Sequence, residues 1–338
     1  MSAPGPSGRS APPSAYVGNR GAARAAAEGE WRGMMGKVLV IGASGFVGRP
    51  LARALLAGGH AVRCLARDPA KVRDLAALGG EVIRGDMLDP ASLRRATESV
   101  DAAYIVVHTL SPQGAGAAGQ DFMDIELRGV RNIVAACRAS GVRRLIYVTF
   151  LGTAPDGPSA WARGRWEAER ALLESGLDAT VIRPGQIVGA GGQGFDMLAA
   201  QAGRSVALVL GSGRQRFRTI DLDDLVYYLV GVLDEPRAYG RGYDVGSDDI
   251  LTTDQLIDVA AAVLGRSEPR KIHLPRALLG ALAPLAERLT GVPRGALGDF
   301  LGGAETDLIG DPAPIRALLP RAPLPYRRAA ERALADAG

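Results

Sequence analysis

The chain alternates short apolar runs, rich in β-branched residues, with longer stretches in which apolar residues recur at helical spacing. Runs at 37–41, 61–66, 81–84, 102–108, 144–149 and 179–182 read as buried strands, because an apolar run bounded by turn residues suits a strand covered on both faces. Segments at 49–56, 70–77, 90–98, 122–140 and 161–175 read as the intervening helices. Strand and helix in alternation predict an α/β fold with a doubly wound parallel sheet.

Beyond Pro184 the rhythm loosens. Helices are expected at 195–202, 222–234 and 252–264, the last capped by Thr252 or Thr253. Strands are expected at 206–210 and 242–245. Helical pieces between prolines follow at 276–289, 296–301 and 315–319. The expected organisation is an extension over 1–33, a sheet domain over 34–185, and a smaller, mainly helical region over 186–338 from which 217–247 returns to the first domain. The extension is Pro-, Gly-, Ala-, Ser- and Arg-rich without apolar patterning, so disorder is expected there. Glu28 and Glu30 argue against a targeting peptide, and Met34 or Met35 marks an alternative start.

The sharpest local signal joins the first strand to the first helix: Gly42-Ala43-Ser44-Gly45-Phe46-Val47-Gly48. Strand, glycine turn and helix is the context in which such a motif predicts a nucleotide site. The first glycine allows the turn, the second lets backbone approach a pyrophosphate, and the third lets helix pack on strand. The helix N-terminus adds free N–H groups and the positive end of its dipole. Gly42, Ser44, Gly45, Phe46, Val47 and Gly48 are therefore cofactor-binding candidates. The competing reading is a purely structural turn.

Composition narrows the function classes. At 338 residues and 47% hydrophobic, the chain can bury a large core. No apolar run reaches the ~20 residues that span a bilayer. Cys64 and Cys137 fall inside a strand and a helix and read as small core residues, which suits a cytoplasmic protein. Three scattered histidines argue against a metal site. The net charge of +4 comes without a basic, aromatic-interleaved tract, so nucleic acid is not an expected partner. The expected partners are a dinucleotide and a small molecule.

A residue at the end of the second strand sits beside the adenosine ribose in this kind of fold. An acidic residue there takes the 2′-hydroxyl of NAD, and arginine takes the 2′-phosphate of NADP. Arg67 occupies that place, and a guanidinium suits a phosphate dianion by charge and forked geometry. NADP(H) is the expected cofactor. NAD is the alternative, with Arg67 solvated and the adjacent Asp68 on the ribose. Ligands of such sheets lie at the carboxyl ends of strands, so Val107, His108 and Thr109 should line the cofactor's centre. His108, alone of the histidines in facing the site, reads either as a site residue or as a structural one.

Several later stretches follow in order: Gly141-Val142-Arg143-Arg144-Leu145-Ile146-Tyr147-Val148-Thr149, Glu167-Ala168-Glu169-Arg170-Ala171-Leu172-Leu173, Thr180-Val181-Ile182-Arg183-Pro184-Gly185-Gln186-Ile187-Val188-Gly189, Ile220-Asp221-Leu222-Asp223-Asp224-Leu225 and Tyr243-Asp244-Val245-Gly246-Ser247. With the glycine turn, they resemble the extended and atypical short-chain dehydrogenase/reductase families, nearest to the NmrA-like NAD(P)H-binding proteins. The likeness runs from about Lys37 to Gly265. It implies a Rossmann fold and places Asp86, with Met87 beside it, near the adenine amino group, although Asp86 also reads as a simple turn residue. It sets Pro184 and Ile187 in the segment that cradles the nicotinamide. It also implies a small substrate held under the C-terminal region, where Gln193, Phe195 and Arg218 are pocket-wall candidates. The glycine-rich link 189–194 reads either as a mobile lid or as a plain surface loop. The helices 122–140 and 161–175 form the dimer bundle in many such relatives.

Typical members of these families use a Tyr-x-x-x-Lys dyad, in which lysine lowers the tyrosine pKa for proton exchange. The only lysines here are Lys37, Lys71 and Lys271, and the residues four before them are Gly33, Arg67 and Ser267. At the expected place the chain reads Trp161-Ala162-Arg163-Gly164-Arg165. Trp161 has an indole N–H but no usable acid, so it is a candidate for stacking on a substrate. Arg165 can supply charge and hydrogen bonds to the nicotinamide ribose but donates its proton poorly. Thr149 stands where the family's serine orients a carbonyl. Three functions remain open: an NADPH-dependent oxidoreductase without the dyad, a non-catalytic NADP(H) sensor or assembly protein, and, disfavoured by Trp161, a nucleotide-sugar epimerase or dehydratase. The apolar helix at 276–289 reads as core of the small region or as a membrane-surface element.

Overall fold

A computed structural model describes residues 36–107, 122–275, 277 and 306–337. His108, Thr109, the helix at 296–301 and, apart from Ala277, the helix at 276–289 lie outside the described residues. The first part runs β1 (Lys37–Ile41), α1 (Gly48–Ala57), β2 (Ala61–Ala66), α2 (Arg73–Ala77), β3 (Glu81–Arg84), α3 (Pro90–Thr97), β4 (Ala102–Ile105), α4 (Phe122–Ala139), β5 (Arg144–Val148), α5 (Ala160–Leu173) and β6 (Asp178–Pro184). The helix expected over 70–77 begins instead as a 3₁₀ turn, Pro69–Val72, capped by the Asp68 carboxylate accepting from the Ala70 N–H, and becomes α-helical only from Arg73. β4 stops at Ile105, short of the expected 108, because its neighbour β1 ends opposite it at Ile41.

These strands and β10 (Arg241–Val245) form one seven-stranded sheet in the order β10-β6-β5-β4-β1-β2-β3. Every pair in it is parallel. The chain order reverses between β1 and β4, the switch point at which such sheets bind ligands. Alternation along each strand splits the core. Val38, Val40 and Cys64 face a layer containing Leu51, Leu55, Leu225 and Tyr228. Leu39, Ile41 and Ile105 face the other, with Val130, Ile133 and Leu172.

The second part carries β7 (Gln186–Val188), α6 (Gln193–Ala202), β8 (Val206–Leu210), β9 (Arg216–Asp221), α7 (Leu222–Gly231), β11 (Ile250–Thr252), α8 (Thr253–Val263), β12 (Arg270–Leu274), α9 (Ala313–Leu318) and α10 (Tyr326–Ala337). Short strands unmarked in the sequence pattern form the three-stranded sheet β11-β9-β7 and, with β8, the pair β12-β8. Thr252 caps α8 in a capping box with Gln255. α7 lies against the large sheet, where the Tyr104 hydroxyl donates to the Leu229 carbonyl at 2.8 Å. The C-terminal α10 is tied down by Arg332, which pairs with Asp221 at 3.2 Å and with Asp223.

Candidate functional site

The glycine turn is built to the limit of backbone contact. Gly42 has a φ of +97°, which favours glycine, and a β-carbon there would lie 2.9 Å from the Val106 carbonyl oxygen at the end of β4. A β-carbon at Gly48 would lie 2.2 Å from the Gly42 oxygen. The Gly45 N–H donates to that same oxygen at 2.9 Å, leaving Gly45 exposed on the outer side. Helix α1 then begins with no side-chain cap and no acidic residue in its first turn. Among the described residues no backbone carbonyl accepts from the N–H groups of Ser44, Phe46, Val47 or Gly48. An uncapped helix start with bare N–H groups and a glycine-lined approach fits a pyrophosphate.

Arg67 and Asp68, expected at the adenosine end, are both exposed just past the end of β2. Asp68 spends one carboxylate oxygen on the Ala70 N–H, at 3.0 Å. Asp86 is drawn into its own turn: it accepts from the Leu88 N–H at 2.8 Å, while its N–H donates to Ser92 Oγ at 3.1 Å. Met87 is buried, and its carbonyl accepts from Asn132 Nδ2 at 3.1 Å, a contact on α4 that sequence reasoning missed.

The carboxyl ends of β4, β5 and β6 bring together Val107, Thr149, Trp161 and Arg165, and the surroundings alter the expected parts. Arg165 is 2% exposed and is therefore not a free donor to a ribose. Its Nε lies 2.9 Å from Glu126 Oε1, and its Nη1 donates to the Val148 carbonyl at 3.1 Å. Its Nη2 reaches toward the Val107 carbonyl at 3.5 Å. Tyr147 donates to Glu126 at 2.5 Å. Burial works against the Arg165 charge, but Glu126 and its neighbours outweigh it and hold the pKa above the usual range. Burial pushes the Tyr147 phenol well above its ordinary value, against the pull of Arg165.

Thr149 is likewise engaged. Its hydroxyl donates to Glu169 Oε1 at 2.6 Å, and Thr153 donates to the same oxygen at 2.8 Å. Arg183 closes the network, donating to Glu169 Oε2 from Nε at 2.9 Å. Trp161 stacks face to face on Phe150, with ring centroids 3.9 Å apart and planes 6° from parallel, and both rings are half-buried. The two buried glutamates escaped sequence reasoning. Their signal was a carboxylate on a helix face that is otherwise apolar around Glu126 and carries Arg165 beside Glu169, where a buried charge must be paired.

Pro184 ends β6 and Ile187 lies in β7, at the margin of the main core. The pocket-wall expectations fare differently. Phe195 is buried in the core of the second part, with Leu256 and Tyr326, rather than on a wall. Arg218 is a strut: Nε donates to the Ile309 carbonyl and Nη1 to the Ser247 carbonyl, each at 2.6 Å. Gln193, the first residue of α6, is exposed.

Sheet order, switch point and glycine turn define a Rossmann-type α/β protein. Residues 42–207 match the family model described as NAD(P)H-binding. The chain is 32% identical over 270 residues to a ceramide reductase from Caulobacter vibrioides, covering 76% of this chain and 80% of that protein. It is 29% identical over 255 residues to a 2-alkyl-3-oxoalkanoate reductase from Stenotrophomonas maltophilia, covering 68% and 76%. The NADPH-dependent quinone oxidoreductase QOR2 of Escherichia coli, solved in complex with NADPH, shares the fold at a TM-score of 0.68 and 22% identity, covering 87% and 98%. The chain belongs to the NAD(P)H-binding family of the atypical short-chain dehydrogenase/reductase superfamily. Among the described residues no helix is long and apolar enough to cross a membrane.

Proposed function

We propose that this protein is an NADPH-dependent reductase of small, conjugated acceptors, quinones being the simplest, and that it works without a side-chain acid. The observation that carries the reading is the pairing of an open phosphate-binding turn with a dyad position held by Trp161 and a locked arginine. Backbone N–H groups of the Gly42–Gly48 turn hold the pyrophosphate, and Arg67 holds the 2′-phosphate. Val107, Pro184 and Ile187 border the nicotinamide half, with Asp86 and Met87 at the adenine. Bound NADPH supplies a hydride, and the protein supplies orientation.

The missing acid selects the acceptor. Hydride addition to a simple ketone leaves an alkoxide, which needs a donor beside it, and such a donor is worth ~10²–10⁴-fold. Hydride addition to a quinone leaves a delocalised phenolate, with a conjugate-acid pKa near the ~10 of tyrosine, and water can protonate it. The stacked Trp161 and Phe150 offer a flat apolar surface to such a ring. Thr149 and Arg165 act here by fixing the strand ends rather than by exchanging protons.

The test is a titration of NADPH and NADH against wild type and Arg67→Glu, followed by NADPH oxidation with a soluble quinone and with an aliphatic ketone. A charged hydrogen bond contributes ~1.5–3 kcal/mol, so wild type should prefer NADPH by roughly 10–100-fold and the variant should lose that preference. Quinone turnover with little ketone turnover supports the reading. Tight NADPH binding without turnover of any acceptor favours the non-catalytic sensor, for which the locked Arg165 also speaks. Failure of both nucleotides to bind removes the basis of either.

A further inference from the structure

One residue of the glycine turn reaches out of it. The backbone of Phe46 lies at the start of α1, where its N–H has no backbone acceptor among the described residues. Its ring projects onto the link between β7 and α6. A β-carbon at Gly192 would lie 2.6 Å from Phe46 Cζ and 2.8 Å from Cε1, and one at Gly189 would lie 3.1 Å from Cζ. The link carries two short-range bonds: Gly192 N–H to the Gly189 carbonyl at 3.2 Å, and Gly191 N–H to Asp196 Oδ1 at 3.3 Å. Gly192 is the N-cap of α6 and offers no side chain to hold the helix start. Downstream, Phe195 anchors α6 in the core of the second part.

We infer that Phe46 is a positioning residue that couples dinucleotide binding to the placement of α6. The inference rests on the reading that the Gly42–Gly48 turn holds NADP(H). A phosphate bound by the Phe46 N–H fixes that backbone, and with it the direction of the ring. The ring then fills the space that Gly189 and Gly192 leave open and seats the first turn of α6. A methyl group at Gly192 would occupy the ring's place, and one at Gly189 would crowd it together with Leu222. The consequence is an ordered site: the dinucleotide sets the second part first, and the acceptor meets it already placed.

Hydrogen–deuterium exchange of the full chain, with and without saturating NADPH, reads this directly. The proteins are wild type, Phe46→Ala, the milder Phe46→Leu, and Gly192→Ala, whose φ of −81° accepts alanine without backbone strain. Working at saturation separates the coupling from any change in affinity, and a parallel titration establishes that the nucleotide is bound. In wild type, exchange over 189–202 should slow severalfold when NADPH binds. That nucleotide-dependent difference should vanish in Phe46→Ala and Gly192→Ala and shrink in Phe46→Leu. A merely structural ring would shift exchange equally with and without nucleotide. Wild type that binds NADPH with no change over 189–202, or a variant that keeps the full change, overturns the inference and leaves the dinucleotide reading standing. Wild type that binds no NADPH overturns both, and the titration distinguishes that case.

Discussion

At the Gly42–Gly48 turn, the N–H groups of Ser44, Phe46, Val47 and Gly48 have no backbone acceptor among the described residues. One strand-end away, around Arg165, the polar groups are matched to each other: Tyr147 and Arg165 to Glu126, and Thr149, Thr153 and Arg183 to Glu169. The first region keeps hydrogen-bonding capacity in reserve for a ligand. The second has consumed it in the fold. In the proposed reading such an arrangement keeps the means to bind a dinucleotide while Thr149 and Arg165 take no part in proton transfer, because a donor already committed to a buried carboxylate is unavailable to a substrate.

That contrast can be broken most strongly at Glu126. Glu126→Ala strands a fully buried guanidinium, and removing one partner of such a pair costs ~3–5 kcal/mol. Urea unfolding should show a loss of that size, whereas the joint replacement Arg165→Met with Glu126→Leu should recover most of it. A loss below about 1 kcal/mol for the single variant would mean that water or a neighbour already shares the charge. The turn is the next most sensitive. Gly48→Ala forces a methyl group into the Gly42 carbonyl, and overpacking costs ~1–3 kcal/mol. NADPH affinity measured by fluorescence should fall roughly 10–100-fold, and unchanged affinity would show that the turn does not carry the phosphate.

Two smaller effects sharpen the picture. Trp161→Tyr restores a phenol without a lysine, so ketone reduction should rise far less than the ~10² that a functioning acid confers. A rise of that size would show that Arg165 can activate the phenol after all. The smallest effect concerns α10. Burial raises Asp221 from an ordinary carboxylate value to about 7, with Arg332 opposing. The folded state therefore holds a proton that the unfolded chain has released between about pH 4 and 7, and stability from this group falls as pH rises through that window. Asp221→Asn keeps a capping side chain and should gain stability on the order of 1 kcal/mol at pH 8, with no gain at pH 4. A thermal melt at the two pH values decides it.

Much of the sheet was legible because its inner strands β1, β4 and β5 are apolar beyond at most their first residue, a pattern that parallel strands covered on both faces require. The spans 61–66, 81–84 and 206–210 agree with the observed strands to the residue. β9 and β12 were not legible: Arg216, Arg218, Arg270 and His273 interrupt them, and they pair across long sequence separations. Phe195 and Arg218 looked like pocket residues for the same reason. An aromatic ring or an arginine near a predicted site reads as functional until its neighbours are known, and those neighbours lie far away in the chain.

What the residues alone determined is the alternation of strand and helix, the glycine turn, the arginine after β2 and the absence of a Tyr-x-x-x-Lys pair. Each depends on local periodicity, on glycine's lack of a side chain, or on the identity of a single residue. What only the tertiary structure decided is the state of the polar groups. Whether Arg165 is a donor or a strut depends on Glu126, 39 positions earlier, brought to 2.9 Å by the packing of α4 on α5. Burial and pairing are properties of residues distant in sequence and adjacent in space, and they set the charge and hydrogen-bonding capacity that chemistry can use.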